Sequence, residues 1–472
     1  MDFTRRDLLW LPLVQMRSPR TNVLLIAVDD LNNRIGCYGD PVVKTPNIDR
    51  LARRGVRFDR SYCNYPLCNP TRTSLLSGRR PETTQVYNNN TPPRTHLGGI
   101  AFLPEYYKAQ GYFTARVGKI AHGTYEYQLQ WDISESRAGV PLASERKLRD
   151  EDTALDRAKN KKKAGKAAGS EGGAKLSWTP TNRADAEEPD GATARRIAQI
   201  VREHKSQPFF IGCGFHKPHL PWVAPRKYFD MYSLDQIKLP DTPAGDRDDI
   251  PPLALTSTQG DSEMTDRERR QAVLAYHAAT SFMDAQLGVV LDTMDEQRLW
   301  DNTVVLLFGD HGWHLYDHQQ LWRKMTVFEQ ASRAPLIVHA PGKQEGVACP
   351  RLVEYVDIYP TLTELSGLPK APGMEGASFT PLLDSPQRPW KKAAYTMVAR
   401  GANRFGRSVR TERYRYTEWE DGKSGVEFYD HELDPNEWTN TAWPKRARTA
   451  KQSAQMEEMK ALLHADKKLT AP

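Results

Sequence analysis

The sequence predicts an α/β fold, with one large, mostly parallel sheet flanked by helices and then a smaller C-terminal α+β domain containing an antiparallel sheet. Three observations carry this. Apolar, β-branched runs recur along the chain, each followed by a polar or glycine-containing turn and a helix-like segment, the alternation of parallel strands with crossover helices. After Leu368 the texture changes: prolines and glycines crowd into GLPKAPGMEG, and the segment beyond alternates about a turn. The chain has 472 residues, longer than the roughly 100 to 200 of an ordinary domain, so two domains are expected.

Taken in order, Asn22 to Val28 (NVLLIAV) is the first strand. Thr45 and Pro46 open a helix as N-cap and first helical residue; Ile48, Leu51 and Ala52 share its buried face, and Gly55 closes it. Phe113 to Val117, Phe209 to Gly212 and Thr303 to Phe308 read as further strands. A long helix is expected from about Arg267 to Gln297, with Met283, Leu287, Val290, Leu291 and Met294 at core spacing. SVRTERYRYTEWEDGKSGVEFYD alternates as a hairpin does, and a terminal helix follows from Ala450 to Leu463. Residues 21–368 are therefore expected to form the main domain and 369–472 the C-terminal one. Residues 1–20 read either as an export signal or as a plain leader, because TRRDLLWLPLV sets twin arginines before a short apolar stretch. A periplasmic or secreted location follows from the first of these.

Composition is that of a globular protein, and no apolar run is long enough to span a bilayer. The net charge of +7 is uneven, since residues 142–176 carry ten basic against six acidic side chains without an apolar period. That segment reads as a solvated, flexible insertion, with a polyanion-binding arm as the sharper alternative. The remainder is mildly basic, which argues against a nucleic-acid partner. The five cysteines, Cys37, Cys63, Cys68, Cys213 and Cys349, include no CxxC pair, so neither a disulfide framework nor a structural zinc site is indicated.

Chemistry gathers at strand ends. The first strand ends in Asp29 and Asp30, and Thr303 to Phe308 runs into Gly309, Asp310 and His311. Lys119 with His122, and His216, Lys217 and His219, follow two others. Ligands of open α/β sheets bind outside the carboxyl ends of the strands, so these clusters can converge on one pocket. Acids beside lysines and histidines suit a divalent cation and an anionic group held together, as metal-assisted transfer of an oxyanion requires. Singly, each cluster is weak: adjacent carboxylates are as often solvated as metal-binding, and a lone His or Lys at a strand end is more often structural. His216 and Lys217 are weaker substrate-contact candidates than His219. His314, His318 and Trp313 are candidates for the pocket wall or for a structural role, while His96, His277 and Cys63 have no supporting constellation.

Cys68 stands apart. With Pro70, Arg72, Leu76, Ser77 and Gly78 it matches C-x-P-x-R-x-x-x-L-[ST]-G, a pattern whose chance occurrence at a given position is on the order of one in a million or less. The pattern is the sulfatase signature. Together with NVLLIAVDD, TPNIDRLARRGVRF, VGKIAH, GFHKPHLPW, LLFGDHGWHL, WRK and RTERYRYTEW with EFYD, it makes the chain resemble a type I sulfatase of the alkaline phosphatase superfamily, closest to the iduronate-2-sulfatase-like branch. The 142–176 insertion lies outside this likeness.

The resemblance implies a calcium-dependent sulfuric ester hydrolase acting on a sulfated carbohydrate. It implies that a separate formylglycine-generating enzyme oxidises Cys68 to formylglycine, whose hydrate has one hydroxyl to attack sulfur and a second to expel sulfate. It assigns Asp29, Asp30, Asp310, His311 and the modified residue 68 to the metal, and Arg72 to orientation of the diol. Lys119 and Lys324 would clamp sulfate, His122 would serve as base and His219 as the acid for the departing alcohol. A helix beginning just after residue 68 would point its N–H groups at the anion. DHQQLWRK carries one extra residue and lacks the glycines usual in close relatives, so displacement of Lys324 is expected to be a risk of this loop. Two other readings remain open: a phosphodiester or phosphonate monoester hydrolase on the same fold, and a catalytically silent carbohydrate-binding protein.

Overall fold

The computed structural model describes residues 20–137, 140–141, 176–256, 264–401 and 404–465. The N-terminal leader and nearly all of the 142–176 insertion lie outside the described residues. Strand β1 (Asn22–Val28) is buried along its whole length. Successive side chains of a strand face opposite ways. Val23, Leu25 and Ala27 enter the core on one side of the sheet, and Leu24, Ile26 and Val28 enter the core on the other. A strand covered on both faces is apolar at every position, which is why NVLLIAV shows no alternation.

Eight further strands complete this sheet: β2 (Val56–Tyr62), β3 (Phe113–Gly118), β4 (Ile133–Arg137), β5 (Val140–Pro141), β6 (Phe209–Phe215), β7 (Thr303–Gly309), β8 (Leu336–His339) and β9 (Val347–Glu354). Their order is β9-β2-β8-β7-β1-β6-β3-β4-β5. The central run β7-β1-β6-β3-β4 is parallel, and β8 is antiparallel to both of its neighbours. One face carries α1 (Pro46–Arg53), and the other carries α2 (Cys68–Ser77) and α3 (Leu103–Ala109). The first face also carries α4 (Pro189–His204), packed on β3 and β6, and α5 (Asp266–Glu296), while α6 (Ile358–Leu365) joins α2 on the second.

The expected start of α1 is right in position and different in chemistry. The Thr45 hydroxyl accepts from Gly36 N (2.9 Å), and Asp284 of α5 takes the first N–H groups instead, at 3.1 Å from Asn47 and 2.7 Å from Ile48. A carboxylate at a helix N-terminus does the same work as a cap and ties two helices together. The ends of β3 and β6 also meet closely. Gly118 has φ 84°, and a Cβ there would stand 1.9 Å from Gly214 O; a Cβ on Gly214 would stand 2.2 Å from Lys119 N.

The expected C-terminal hairpin is part of a four-stranded antiparallel meander, β10 (Ala394–Arg400), β11 (Arg404–Arg410), β12 (Tyr414–Trp419) and β13 (Val426–Asp430). Helix α7 (Ala450–Ala465) covers it, setting Met459 and Leu463 against Val409, Tyr416 and Phe428. All five cysteines lie among the described residues and none is in a disulfide. Among the described residues no helix is long and apolar enough to cross a membrane.

Candidate active site

Neighbouring strands β7, β1, β6 and β3 deliver Asp310, Asp29 and Asp30, His216 and Lys119 to one edge of the sheet, and α2 begins opposite them at Cys68 itself. The helix therefore includes residue 68, whereas the sequence reading placed its start after that residue. Its ten residues are all buried, and Gly78 ends it at φ 64°.

The acidic turn is locked. Asp310 Oδ1 accepts from Asp30 N (2.9 Å) and His311 N (3.1 Å). Asp30 takes φ 60°, a left-handed conformation that Asp tolerates better than most residues. Tyr276 of α5 holds the turn from outside, donating to Asp30 O (2.7 Å) and accepting from Asn32 N (2.9 Å). Ligating atoms of Asp29, Asp30 and Asp310 lie within 4.8 Å of one another, and so do those of Asp30, Cys68 and His311.

His311 shows which nitrogen is free. Its Nδ1 stands 2.9 Å from Gly312 O, and a carbonyl only accepts, so Nδ1 carries the proton. The lone pair on Nε2 then faces Cys68 Sγ (3.3 Å), Asp30 Oδ1 (3.3 Å) and Asp310 Oδ1 (3.6 Å). Asp30 Oδ2 is buried with no hydrogen-bond partner. An ionised oxygen buried without a partner is costly, so convergent carboxylates, a bare imidazole nitrogen and an orphaned oxygen fit a divalent cation.

Three cations face these acids. Arg72, 1% exposed, donates through Nε to Asp310 (2.9 Å) and through Nη2 to Asp29 (3.1 Å), with Nη1 on Lys119 O (2.6 Å) and Ile120 O (3.1 Å). These contacts brace the carboxylates and the Lys119 loop. Lys119 Nζ reaches Asp29 Oδ2 (2.6 Å), and Lys324 Nζ reaches Asp30 Oδ1 (2.8 Å) and Cys68 Sγ (3.0 Å). The anticipated displacement of Lys324 does not occur. The loop instead places Tyr316, His318, Gln319, Gln320, Arg323 and Met325 at positive φ, where a glycine would be unstrained. Packing holds it: His314 Nε2 meets Thr326 Oγ1 (2.7 Å), His318 Nδ1 meets Asp246 (3.0 Å), and the Trp313 ring lies 5.6 Å from Lys324 Nζ.

The remaining histidines define the open side. His216 Nδ1 is 3.6 Å from Asp29 and His219 Nε2 is 3.8 Å from Asp30, with side chains 44% and 26% exposed. Lys217 turns away, its Nζ on the carbonyls of His219 (3.1 Å) and Pro221 (2.7 Å). His122 has a buried Nδ1 without a partner. His96 is exposed, and His277 is buried in α5 outside the cluster.

Burial opposes ionisation of Asp29, but the cations beside it, Lys119 first and then Arg72, outweigh it and hold the carboxyl well below its usual range. Burial and then Asp29 push the Cys68 thiol well up, so the unmodified side chain is a thiol and a poor nucleophile. Burial and Lys119 push His122 down to about 2. His219 falls to about 3, chiefly by burial, with Lys324 and Lys119 lowering it further. Both rings are neutral before an anion arrives.

Sequence reasoning missed the residues that support these loops. Glu126 Oε1 accepts from Ile120 N (2.7 Å) and Ala121 N (2.6 Å), folding the loop that carries Lys119 and His122. Asp190 does the same for His216 and Lys217, and Tyr276 donates to Asp30 O. Nothing in the local pattern of any of the three announces it.

This architecture is shared with solved hydrolase structures. A phosphonate monoester hydrolase of Agrobacterium radiobacter superposes with a TM-score of 0.76 at 21% identity, covering 94% of this chain and 95% of its own. A solved 2-O GAG sulfatase gives 0.71 at 22% identity, covering 94% and 91%. The Sulfatase family profile matches residues 21–368, and the profile of the N-sulphoglucosamine sulphohydrolase C-terminal region matches residues 309–465. A sulfatase of Formosa agariphila is 33% identical over 95% of this chain and 87% of its own, and iduronate 2-sulfatase of Mus musculus is 30% identical over 84% of each. The chain belongs to the Sulfatase family, and it is a sulfuric ester hydrolase.

Proposed function

We propose that the protein removes sulfate from a sulfated carbohydrate, with Asp29, Asp30, Asp310 and His311 holding a calcium ion and residue 68 carried as formylglycine. The observation that supports this most is the seat of Cys68 at the N-terminus of α2, its Sγ 3.3 Å from the bare nitrogen of His311 and 3.0 Å from Lys324 Nζ. Hydrated formylglycine supplies an oxygen nucleophile, and the calcium ion supplies electrophilic charge. Lys119 and Lys324 would clamp the sulfate oxygens and neutralise charge as the ester bond to sulfur breaks. The positive end of the α2 dipole faces the same anion, while Leu67 N, Asn69 N and Thr71 N are already paired within the protein and Pro70 has no N–H. His122, neutral and with an unpartnered ring nitrogen, serves as the base. His219 gives the proton on Nε2 to the alcohol oxygen as the S–O bond breaks. Its Nδ1 already carries a proton toward Leu220 O (2.6 Å), so Nε2 takes up the transferable one as the anionic ester screens the two lysines.

The carbohydrate class draws support from the name of the murine relative, an iduronate 2-sulfatase, and extends to sulfated polysaccharides other than glycosaminoglycans. Maturation by a formylglycine-generating enzyme and a periplasmic or secreted location belong to the same proposal. So does the assignment of residues 21–368 as catalytic domain and 369–472 as the C-terminal domain. Mass spectrometry tests the modification: the peptide containing residue 68 is expected about 18 Da lighter than encoded, whereas ordinary thiol oxidation adds mass. Free sulfate released from a panel of defined sulfated oligosaccharides tests the substrate. The likeness to the phosphonate monoester hydrolase favours a second reading, hydrolysis of phosphonate monoesters or phosphodiesters. Side-by-side turnover of an aryl sulfate and an aryl phosphonate monoester measures whether this second activity accompanies sulfate ester hydrolysis.

A further inference from the structure

We propose that Lys217 and Asp190 are positioning residues, a buried clamp that fixes the 216–221 loop so that His219 presents Nε2 to the departing alcohol. This rests on the role given to His219 above. Strand β6 ends at Phe215, and the next residues, His216 to Pro221, turn back from the sheet edge. Two of the six are prolines and contribute no N–H, so the loop is poor in hydrogen bonds of its own. One internal backbone bond is present, from His219 N to His216 O (2.9 Å).

The clamp supplies the rest. Asp190 accepts from His216 N through Oδ1 (2.9 Å) and from Lys217 N through Oδ2 (2.8 Å). Lys217 Nζ donates to His219 O (3.1 Å) and Pro221 O (2.7 Å). Two N–H and two C=O groups are thereby satisfied by one buried pair of opposite charges, with Asp190 3% and Lys217 9% exposed. Asp190 is itself immobilised. It is the second residue of α4, and a Cβ on the adjoining Gly191 would stand 1.7 Å from Asp185 O, so the helix start is pressed against the preceding turn. With the loop fixed at both sides of His219, and Nδ1 held by Leu220 O, the ring has one free nitrogen and one direction for it.

Lys217 thus differs from Lys119 and Lys324. Those two point at carboxylates in the cavity and can turn to an anion. Lys217 points into the loop it belongs to. A substrate-binding lysine and a positioning lysine make different predictions, because a misplaced acid matters only when the leaving group needs a proton.

The test uses matured enzyme and sulfate esters spanning leaving-group acidity, from 4-nitrophenyl sulfate to a sugar sulfate, with His219→Ala as reference. If His219 is the acid, His219→Ala lowers kcat on the sugar sulfate by about 10²- to 10⁴-fold and on 4-nitrophenyl sulfate far less. Lys217→Met is expected to follow the same pattern, losing on the order of 10- to 100-fold in kcat on the sugar sulfate, with KM and nitrophenyl turnover within about threefold of wild type. Asp190→Asn, which retains one of the two acceptors, is expected to give the same signature at smaller amplitude, and it replaces Lys217→Met if that variant does not fold by near-ultraviolet circular dichroism. A raised KM with unchanged kcat would make Lys217 a substrate contact and overturn the proposal. Equal losses on both esters, or none, would overturn it too. If His219→Ala itself shows no dependence on the leaving group, the role of His219 fails and the clamp proposal with it. If only the clamp variants lack that dependence, the clamp alone fails.

Discussion

Among the described residues two clusters bring acids and a histidine within ligating distance, and one of them resembles a metal centre. Asp29, Asp30 and Asp310 with His311 form the first; Glu329, His431 and Glu437 form the second, between the large sheet and the C-terminal meander. In the second, every carboxylate oxygen has a partner. Glu329 accepts from Tyr62 (2.9 Å), Arg415 (2.6 Å) and Arg410 (3.4 Å), while Glu437 accepts from His431 (2.9 Å), from Glu329 N (2.7 Å) and from Arg415 Nε. In the first, Asp30 Oδ2 has none and His311 turns a lone pair inward. Proximity of acids therefore does not make a site. Unsatisfied electron pairs do.

The largest separation of the two clusters is expected from Cys68→Ala, which should lower turnover by about 10⁴-fold or more while moving the thermal midpoint by less than about 2 °C. Next, Asp30→Asn should abolish the binding of about one divalent cation per chain, measured by elemental analysis, whereas Glu437→Gln should leave it intact. A reversed result would exchange the roles of the two clusters. Arg415→Met acts the other way: removing the buried fork should cost about 3 to 5 kcal/mol of stability in denaturant unfolding, with little change in kcat of the protein that remains folded.

The smallest effect is on pH dependence. Burial opposes ionisation of Glu437, yet Arg415 and His431 hold it down to about 2, and Glu329 also lies well below its usual range, with Arg410, His431 and Arg415 overcoming its burial. A carboxyl depressed in the folded state gives stability that is complete above its unfolded value of 4.5 and lost as pH falls toward about 2. Thermal midpoints measured across that window should decline in the wild type and more shallowly in Arg415→Met.

Much of this was legible in the sequence, and the reasons are physical. β1, β6 and β7 are covered on both faces, so their apolar runs are unbroken and easily read, while β3 was read from Phe113, Ala115 and Val117 alternating with Thr114 and Arg116. β2 was not recognised, because VRFDRSY sets Arg57, Asp59 and Arg60 among its apolar positions, and β8 has only four residues. The acids at strand ends were visible because catalytic groups of this fold follow strands directly. Lys324 was anticipated only through family likeness, since its loop reaches the site by an unusual backbone. Asp190, Glu126 and Tyr276 left no trace in the pattern, because each acts on another segment's backbone and its sequence neighbours say nothing of that partner.

The contact of Gly118 with Gly214 has a consequence for how this enzyme can change. The gap between the Lys119 loop and the His216 loop is set by two peptide backbones with nothing between them, so no side-chain exchange can narrow it and any added carbon forces it wider. Diversification toward new esters is thereby channelled to the outer rim of the cavity, and the spacing at its floor stays constant.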